Sequence, residues 1–154
     1  MNSIRTTVRI ERPIAAVFAF ATTPANWPRW HPASLGVAGA TDHSLAVGEE
    51  VEEHYRVAGQ EGRIVWTVTE RRAPGRWAIE GSAFPDAVTS IAYTLTPEPD
   101  GATLFLRELT LSGTLPGGDW SVVGPVIEEE SAEALRRLKA VLEAGAGTDE
   151  PGKP

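Results

Sequence analysis

The chain has 154 residues, 42% of them hydrophobic and 23% charged, which is enough for one globular domain with a hydrophobic core. Cysteine is absent, so disulfides, thiolate nucleophiles and cysteine-ligated metals are excluded. The formal net charge of −7 argues against nucleic acid or an anionic membrane surface as the main partner. We find no signal-peptide core and no run long enough to span a membrane, so we expect a cytoplasmic protein without membrane insertion. The abundance of Ala, Gly, Pro and Arg indicates a GC-rich, bacterial genome.

The first third of the chain is predicted to contain one strand and two short helices. Residues 3–11 alternate between β-branched and polar side chains, which is typical of a strand. A short helix is predicted for 14–21, because the fixed φ of Pro13 suits a helix start. Pro24 opens a second helical turn. Residues 36–48 are too mixed in composition to be more than a loop or a weak strand.

The middle of the chain is predicted to be an antiparallel meander. Five segments carry β-branched and aromatic residues with a period of two, and short turns rich in Gly and Pro join them. Runs of strands with helices segregated at the ends indicate an α+β fold. The predicted strands are 47–57, 62–72, 76–82, 87–97 and 102–113.

The last predicted element is a long amphipathic helix over residues 119–143, with Asp119 placed to cap it. Its acidic residues come early and its basic residues late, an order that suits the helix dipole. The apolar stripe needs a large partner, and a curved sheet closing on the helix supplies one. We therefore predict a single domain over 1–143 and a disordered tail over 144–154.

Two segments near the N-terminus form a recognisable pattern: residues 10–20 are IERPIAAVFAF and residues 24–32 are PANWPRWHP. Farther along, Val47-Gly48 opens a strand, and Val68-Thr69-Glu70 precedes a turn at Pro74-Gly75. In this order and spacing, the chain resembles the polyketide cyclase/dehydrase family of the START/Bet v 1-like (SRPBCC) superfamily. The resemblance extends to the end of the long helix.

This resemblance implies a helix-grip fold: a curved antiparallel sheet of six to seven strands around the long C-terminal helix, with two short helices after the first strand. It also implies a mostly apolar cavity between sheet and helix. Relatives bind polyketides, sterols, lipids or similar hydrophobic molecules there, and only some convert them. No catalytic motif is shared across the superfamily, so activity has to be argued from the site itself.

A few polar residues are expected inside the cavity and are candidates for chemistry. His31 should lie at the cavity mouth, where it is either a loop histidine that helps to close the sheet or an acid–base group. Alternation places Glu53 and Tyr55 on the inward face of their strand, unless Glu53 is exposed at a strand end or paired with an arginine. An inward Arg107 would need Glu53 or a ligand oxygen as a partner. The candidate catalytic residues are His31, Glu53 and Arg107.

Aromatic side chains are spread over the predicted strands and the helix, where they either fill the core or line a pocket. The strand 102–113 is apolar on both faces, so either the Phe105–Arg107 face or the Leu104–Leu106 face points inward. The candidate ligand-binding residues are Trp30, His31, Glu53, Tyr55, Trp66, Trp77, Tyr93, Phe105, Arg107, Trp120, Val123 and Ile127.

We expect no metal and no cofactor, because the three histidines lie on separate elements without metal-ligand spacing. Three functions are consistent with the sequence. The first is a carrier or sensor of a hydrophobic small molecule, and the second is a cyclase- or dehydratase-like enzyme using the same cavity. The third is a protein-interaction module, chaperone-associated or stress-related, whose groove binds protein. The ligand stays unidentified, and a monomer or a homodimer is equally compatible.

Overall fold

The computed structural model describes residues 2–84, 86–113 and 120–145 of the chain. Within these residues, seven strands form one antiparallel sheet in the order β1-β7-β6-β5-β4-β3-β2. The strands are β1 Asn2–Ile10, β2 Ser34–Gly39, β3 Glu50–Val57, β4 Gln60–Arg72, β5 Arg76–Phe84, β6 Ala87–Pro97 and β7 Thr103–Gly113. The helices are α1 Ile14–Ala21, α2 Trp27–Trp30 and α3 Trp120–Ala144, and a 3₁₀ turn, Pro24–Asn26, precedes α2.

The long helix α3 packs against β1 and α2, so the curved sheet closes around it. Its buried residues recur at the three- and four-residue steps of one helical stripe. This arrangement confirms the predicted α+β helix-grip fold. The buried residues of α3 are Gly124, Ser131, Ala134, Leu135, Leu138 and Leu142.

The inward face of the last strand follows from its burial pattern. On β7, burial alternates strictly, and Phe105 and Arg107 lie on the buried side while Leu104 is exposed. Tyr93 of β6 stands opposite Arg107 and packs on Phe105, with their ring centroids 4.9 Å apart. Trp77 of β5 stacks on the other side of Tyr93 at 5.3 Å. These three rings belong to the hydrophobic core.

Strand β2, Ser34–Gly39, pairs with β3 at the sheet edge and overlaps the first four residues of the region 36–48 that was predicted as a loop or a weak strand. Its pairing register shifts between Ser34 and Gly36, and a short, irregular edge strand of this kind gives little alternation to detect. The predicted strand 47–57 begins only at Glu50, because Gly48 takes a positive φ of 89° and turns the chain.

The C-terminal boundary also differs from the prediction, because Ala144 still belongs to α3. The predicted cap, Asp119, and residues 146–154 of the predicted tail lie outside the described residues. Among the residues that the structure describes, no helix has the length and apolar character needed to cross a bilayer.

Candidate functional site

A cavity of about 620 Å³ lies between the inward face of the sheet, α2 and α3. Its wall is mostly aliphatic and aromatic, with a small set of polar groups. The exposed members of the wall lie at the β3–β4 hairpin, at Ala58, Gln60 and Glu61, and at Val122 near the start of α3. Near α2, Trp27, Trp30 and Ala33 are buried and His31 is half-buried, so this is the closed end of the cavity, which opens between the hairpin and α3.

Arg107 carries the central charge of the cavity wall. It is 4% exposed, and its Nη1 donates a hydrogen bond of 2.9 Å to Ser131 Oγ on α3. Burial lowers the pKa of Arg107, while Tyr93 and Glu53 raise it. A guanidinium keeps its charge under such conditions. Arg107 Nε is buried without a hydrogen-bond partner. The cavity wall therefore contains a cation with at least one N–H group that donates no hydrogen bond.

Tyr93 supplies a neutral hydroxyl beside this cation. The side chain is 3% exposed, and burial raises its pKa to about 12. Arg107 acts against that shift through its charge and a hydrogen bond. The phenol is therefore protonated at neutral pH and can donate a hydrogen bond, as a group that stabilises a developing oxyanion does.

Glu53 is the carboxyl group of the inner wall of β3. Trp66 Nε1 donates a hydrogen bond of 2.9 Å to Glu53 Oε1 across the β3–β4 pair. Burial raises the pKa of Glu53, although the Trp66 hydrogen bond and the charge of Arg107 oppose the rise. A carboxyl group with a raised pKa can hold and release a proton closer to neutral pH than an exposed one.

His31 lies just after α2 and lines the α2 end of the cavity. The backbone N–H of Ala33 donates to His31 Nδ1 at 3.1 Å, so the proton of the neutral ring is on Nε2. Burial lowers the pKa of His31 well below its ordinary value, and the charges of Arg107 and Arg137 add to this effect. The imidazole is therefore neutral and acts as a hydrogen-bond donor through Nε2.

Most of the candidate ligand-binding residues contribute to one wall, although they come from four strands, β3, β4, β6 and β7, and from the α2 segment and α3. Three others do not: Trp77 and Phe105 are completely buried behind the wall, and Trp120 packs over Gly124 on α3. Trp77 is held there because its Nε1 donates to Leu45 O at 3.0 Å. The candidates that line the cavity are Trp30, His31, Glu53, Tyr55, Trp66, Tyr93, Arg107, Val123 and Ile127.

Several lining residues were not among the candidates. Ser131, which accepts a hydrogen bond from the Arg107 guanidinium, lies on the apolar stripe of α3. A single serine among the apolar residues of that stripe is the sequence feature that could have identified it. The aliphatic lining residues of the strands lie two or four residues from a candidate on the same face of the same strand, so extending the period of two would have found them. These additional residues are Trp27, Ala33, Val57, Ala58, Gln60, Glu61, Ile64, Ile79, Thr89, Ile91, Leu109, Leu111, Val122, Glu130 and Ser131.

The remaining histidines lie outside the cavity. His43 contacts Asp42 and Glu49 in the exposed loop before β3, and His54 contacts Glu61 at the β3–β4 hairpin. Within the described parts of the chain, no three His, Cys, Asp or Glu side chains are grouped closely enough to hold a metal ion.

Solved structures with the same architecture are numerous, although their sequences differ widely from this one. TTHA0849 from Thermus thermophilus is similar with a TM-score of 0.77 at 15% identity, covering 94% of this chain and 99% of its own. A START superfamily protein from Mycobacterium smegmatis has a TM-score of 0.67 at 16% identity, covering 94% of this chain and 97% of its own.

A third similar structure is BexL, a di-domain ARO/CYC protein of the BE-7585A biosynthetic pathway. Its TM-score is 0.71 at 18% identity, and the match covers 94% of this chain and 47% of BexL. No match to a curated protein was found. Residues 1–143 match the family model described as polyketide cyclase/dehydrase and lipid transport. The chain therefore belongs to the polyketide cyclase/dehydrase and lipid transport family.

Proposed function

We propose that this protein binds a hydrophobic small molecule in the cavity between the sheet and α3, as a carrier or sensor. The observation that carries the proposal is the cavity itself, whose volume of about 620 Å³ lies within the usual range of small-molecule sites. Each CH₂ group that a ligand buries there contributes about 0.8 kcal/mol. The interaction-module alternative requires a packed core with an exposed apolar patch, and the hollow core argues against it.

A native mass spectrum of the protein purified from its own host tests the proposal. We expect a stoichiometric adduct that denaturation releases as a hydrophobic small molecule. A clean apo mass, together with no thermal stabilisation by a panel of polyketides, lipids and sterols, would contradict it. The interaction module would then become the leading interpretation.

A second candidate function is an enzyme of the cyclase or dehydratase type. The observation that favours it is the pairing of Tyr93 with Arg107 inside the cavity, near a carboxyl group, Glu53, whose pKa is raised. Arg107 and Tyr93 would hold an enolate oxygen, and Glu53 would transfer a proton. His31, which is neutral, would orient the substrate as a hydrogen-bond donor.

The two candidates differ in what happens to the ligand. The released molecule, or its unprocessed precursor, is incubated with fresh protein and followed by mass spectrometry. Turnover that is lost in Glu53→Gln assigns an enzyme, whereas a ligand recovered unchanged assigns a carrier or a sensor.

A further inference from the structure

The geometry points to an amphipathic acid as the ligand: an apolar body that carries one carboxylate or phenolate oxygen, held by Arg107 at the closed end of the cavity. This inference rests on the proposed binding function and goes beyond it by naming the chemical class. It follows from the charge of the closed end, from its excess of donors and from the length of its apolar wall.

Arg107 lacks a counter-charge in contact with it. No ion pair found among residues 2–84, 86–113 and 120–145 involves this guanidinium. Its hydrogen bonds involve the neutral hydroxyls of Ser131 and Tyr93, and its Nε has no acceptor. A buried charge without a partner is costly, and an anionic oxygen of a ligand removes that cost.

The groups around Arg107 are donors as well. The indole Nε1 of Trp30 is buried without an acceptor, and the Trp30 ring lies 6.4 Å from that of Tyr93. His31 has its proton on Nε2, because Nδ1 accepts from Ala33. Tyr93 adds a protonated hydroxyl. Such a set of donors around a cation is complementary to an oxygen that only accepts hydrogen bonds.

Three acidic side chains line the cavity, Glu53, Glu61 and Glu130, and they do not exclude an anionic ligand. Glu61 is exposed at the hairpin and pairs with Arg56, and burial raises the pKa of Glu130. Glu53 is the carboxyl group whose charge acts on Arg107. Its carboxyl group is already bound by Trp66 Nε1. Its raised pKa means that it takes up a proton more readily than an exposed glutamate. A second anion near Arg107 would favour that protonation further, because like charges disfavour ionisation.

The wall between Arg107 and the mouth is mostly apolar and has a defined length. On β7, the next two inward side chains follow after two and four residues, at about 7 Å and about 13 Å. On α3, two apolar lining side chains precede Ser131 by four and eight residues, at about 6 Å and about 12 Å. An apolar body of about that length fits between the donors and the mouth. The side chains at these steps are Leu109 and Leu111 on the sheet and Ile127 and Val123 on the helix.

The test compares two compounds of the same shape, naphthalene carboxylate and naphthalene carboxamide, by calorimetric titration of the full chain. We expect the wild-type protein to bind the carboxylate at least about tenfold more tightly, because one charge-assisted hydrogen bond contributes on the order of the 1.4 kcal/mol that a tenfold change requires. Equal affinities for the two compounds in the wild-type protein would overturn the inference, and this comparison needs no variant.

A pair of arginine variants locates the preference. Arg107→Met is expected to reduce the ratio of the two affinities to about one, because the charge that distinguishes them is gone. Arg63→Met is the matched control: Arg63 is an exposed arginine whose Nη1 is 3.2 Å from Glu52 on the outer face of the sheet. It should keep the wild-type ratio. A ratio that Arg107→Met leaves intact in a folded protein would also overturn the inference.

Two further ligands separate the remaining outcomes. The affinity for a naphthol is measured above and below the pKa of its hydroxyl group to distinguish the two classes of acid. If the ionised naphthol binds more tightly than the neutral one, the ligand oxygen is assigned as a phenolate. If only naphthalene carboxylate binds more tightly than its neutral counterpart, the ligand oxygen is assigned as a carboxylate. The neutral compound N-phenylnaphthylamine reports on the cavity alone. If it binds while neither acid has an advantage, this inference fails and the proposed function stands. If neither it nor any naphthalene compound binds, both fail.

Discussion

His31 shows how the chemistry of a residue depends on its neighbours. From the sequence, it was a histidine between two prolines that was either structural or an acid–base group. In the structure, its Nδ1 accepts from Ala33, and burial together with the nearby arginines holds it neutral. Neither effect is local enough to be read from a pattern, since Arg107 comes from the last strand and Arg137 from the last helix. The same applies to Glu53, whose partners Trp66 and Arg107 come from two other strands.

The lowered pKa of His31 predicts a pH dependence of stability. The unfolded chain binds a proton near the ordinary pKa of 6.5, and the folded chain does not, so stability is lost as the pH falls below about 6.5. The slope approaches about 1.4 kcal/mol per pH unit for one proton. His31→Asn keeps an acceptor for the Ala33 N–H and cannot be protonated, so its unfolding free energy should lose that slope.

Urea denaturation of both proteins at several pH values on either side of the histidine pKa provides the measurement. Parallel curves for the wild-type protein and His31→Asn would show that His31 is not held neutral by the fold.

The effect of Glu53 on stability has the opposite dependence on pH from that of His31. Its folded pKa is raised above 4.5, so the folded state holds the proton more tightly, and stability falls as the pH rises from about 4.5 through the folded pKa. Glu53→Gln keeps an acceptor for Trp66 Nε1 and has no charge to desolvate. Its unfolding free energy relative to the wild-type protein should therefore increase between acidic and neutral pH, as measured by urea denaturation. A constant difference across that interval would mean that the Glu53 carboxylate is fully solvated.

Strands and helices were predictable where their periodicity is strong. The predicted boundaries of an element were wrong where the backbone departs from regular geometry. The alternation of β4, β6 and β7 located those strands, and β6 matches its predicted range, Ala87–Pro97. The edge strand β2 was predicted only as a loop or a weak strand from residue 36, because a register shift interrupts its short pairing with β3. Trp77 and Phe105 point inward as alternation requires, but alternation cannot tell a core position from a cavity wall.

Gly81 marks a close approach between β5 and β4. A Cβ at this position would lie 2.7 Å from the backbone oxygen of Val65 and 2.9 Å from Ile64 side-chain atoms. Since backbone cannot rotate away, Gly81→Ala should lower the unfolding free energy by about 1–3 kcal/mol. Gly36→Ala is the control on β2: nothing lies within 4 Å of its added Cβ, so its effect should stay within about 0.5 kcal/mol. Equal stabilities of the two variants in denaturant titrations would contradict this packing.

At the scale of the whole molecule, the functional question was whether the space between sheet and helix is filled. Periodicity divides the side chains of each strand between two faces, and outside β7 composition indicates the inward one, but the volume between sheet and helix depends on how strongly the sheet curves around α3. That curvature is set jointly by all strand pairs, so it is not readable from any one segment. The structure has a cavity of about 620 Å³ there, with Arg107 and its donors at the closed end and Val122, which is 67% exposed, at the mouth.

The central claim, that this interior space is a binding site, is tested most directly by filling it. Ile127 lines the cavity, whereas its neighbour Val126 on α3 does not and is 37% exposed. Binding of N-phenylnaphthylamine to Ile127→Trp and Val126→Trp is measured by fluorescence, with thermal unfolding to confirm that both fold. We predict that Ile127→Trp weakens binding by at least about tenfold, since the indole occupies the ligand's space, and that Val126→Trp binds like the wild-type protein. Unchanged binding by a folded Ile127→Trp would contradict the account.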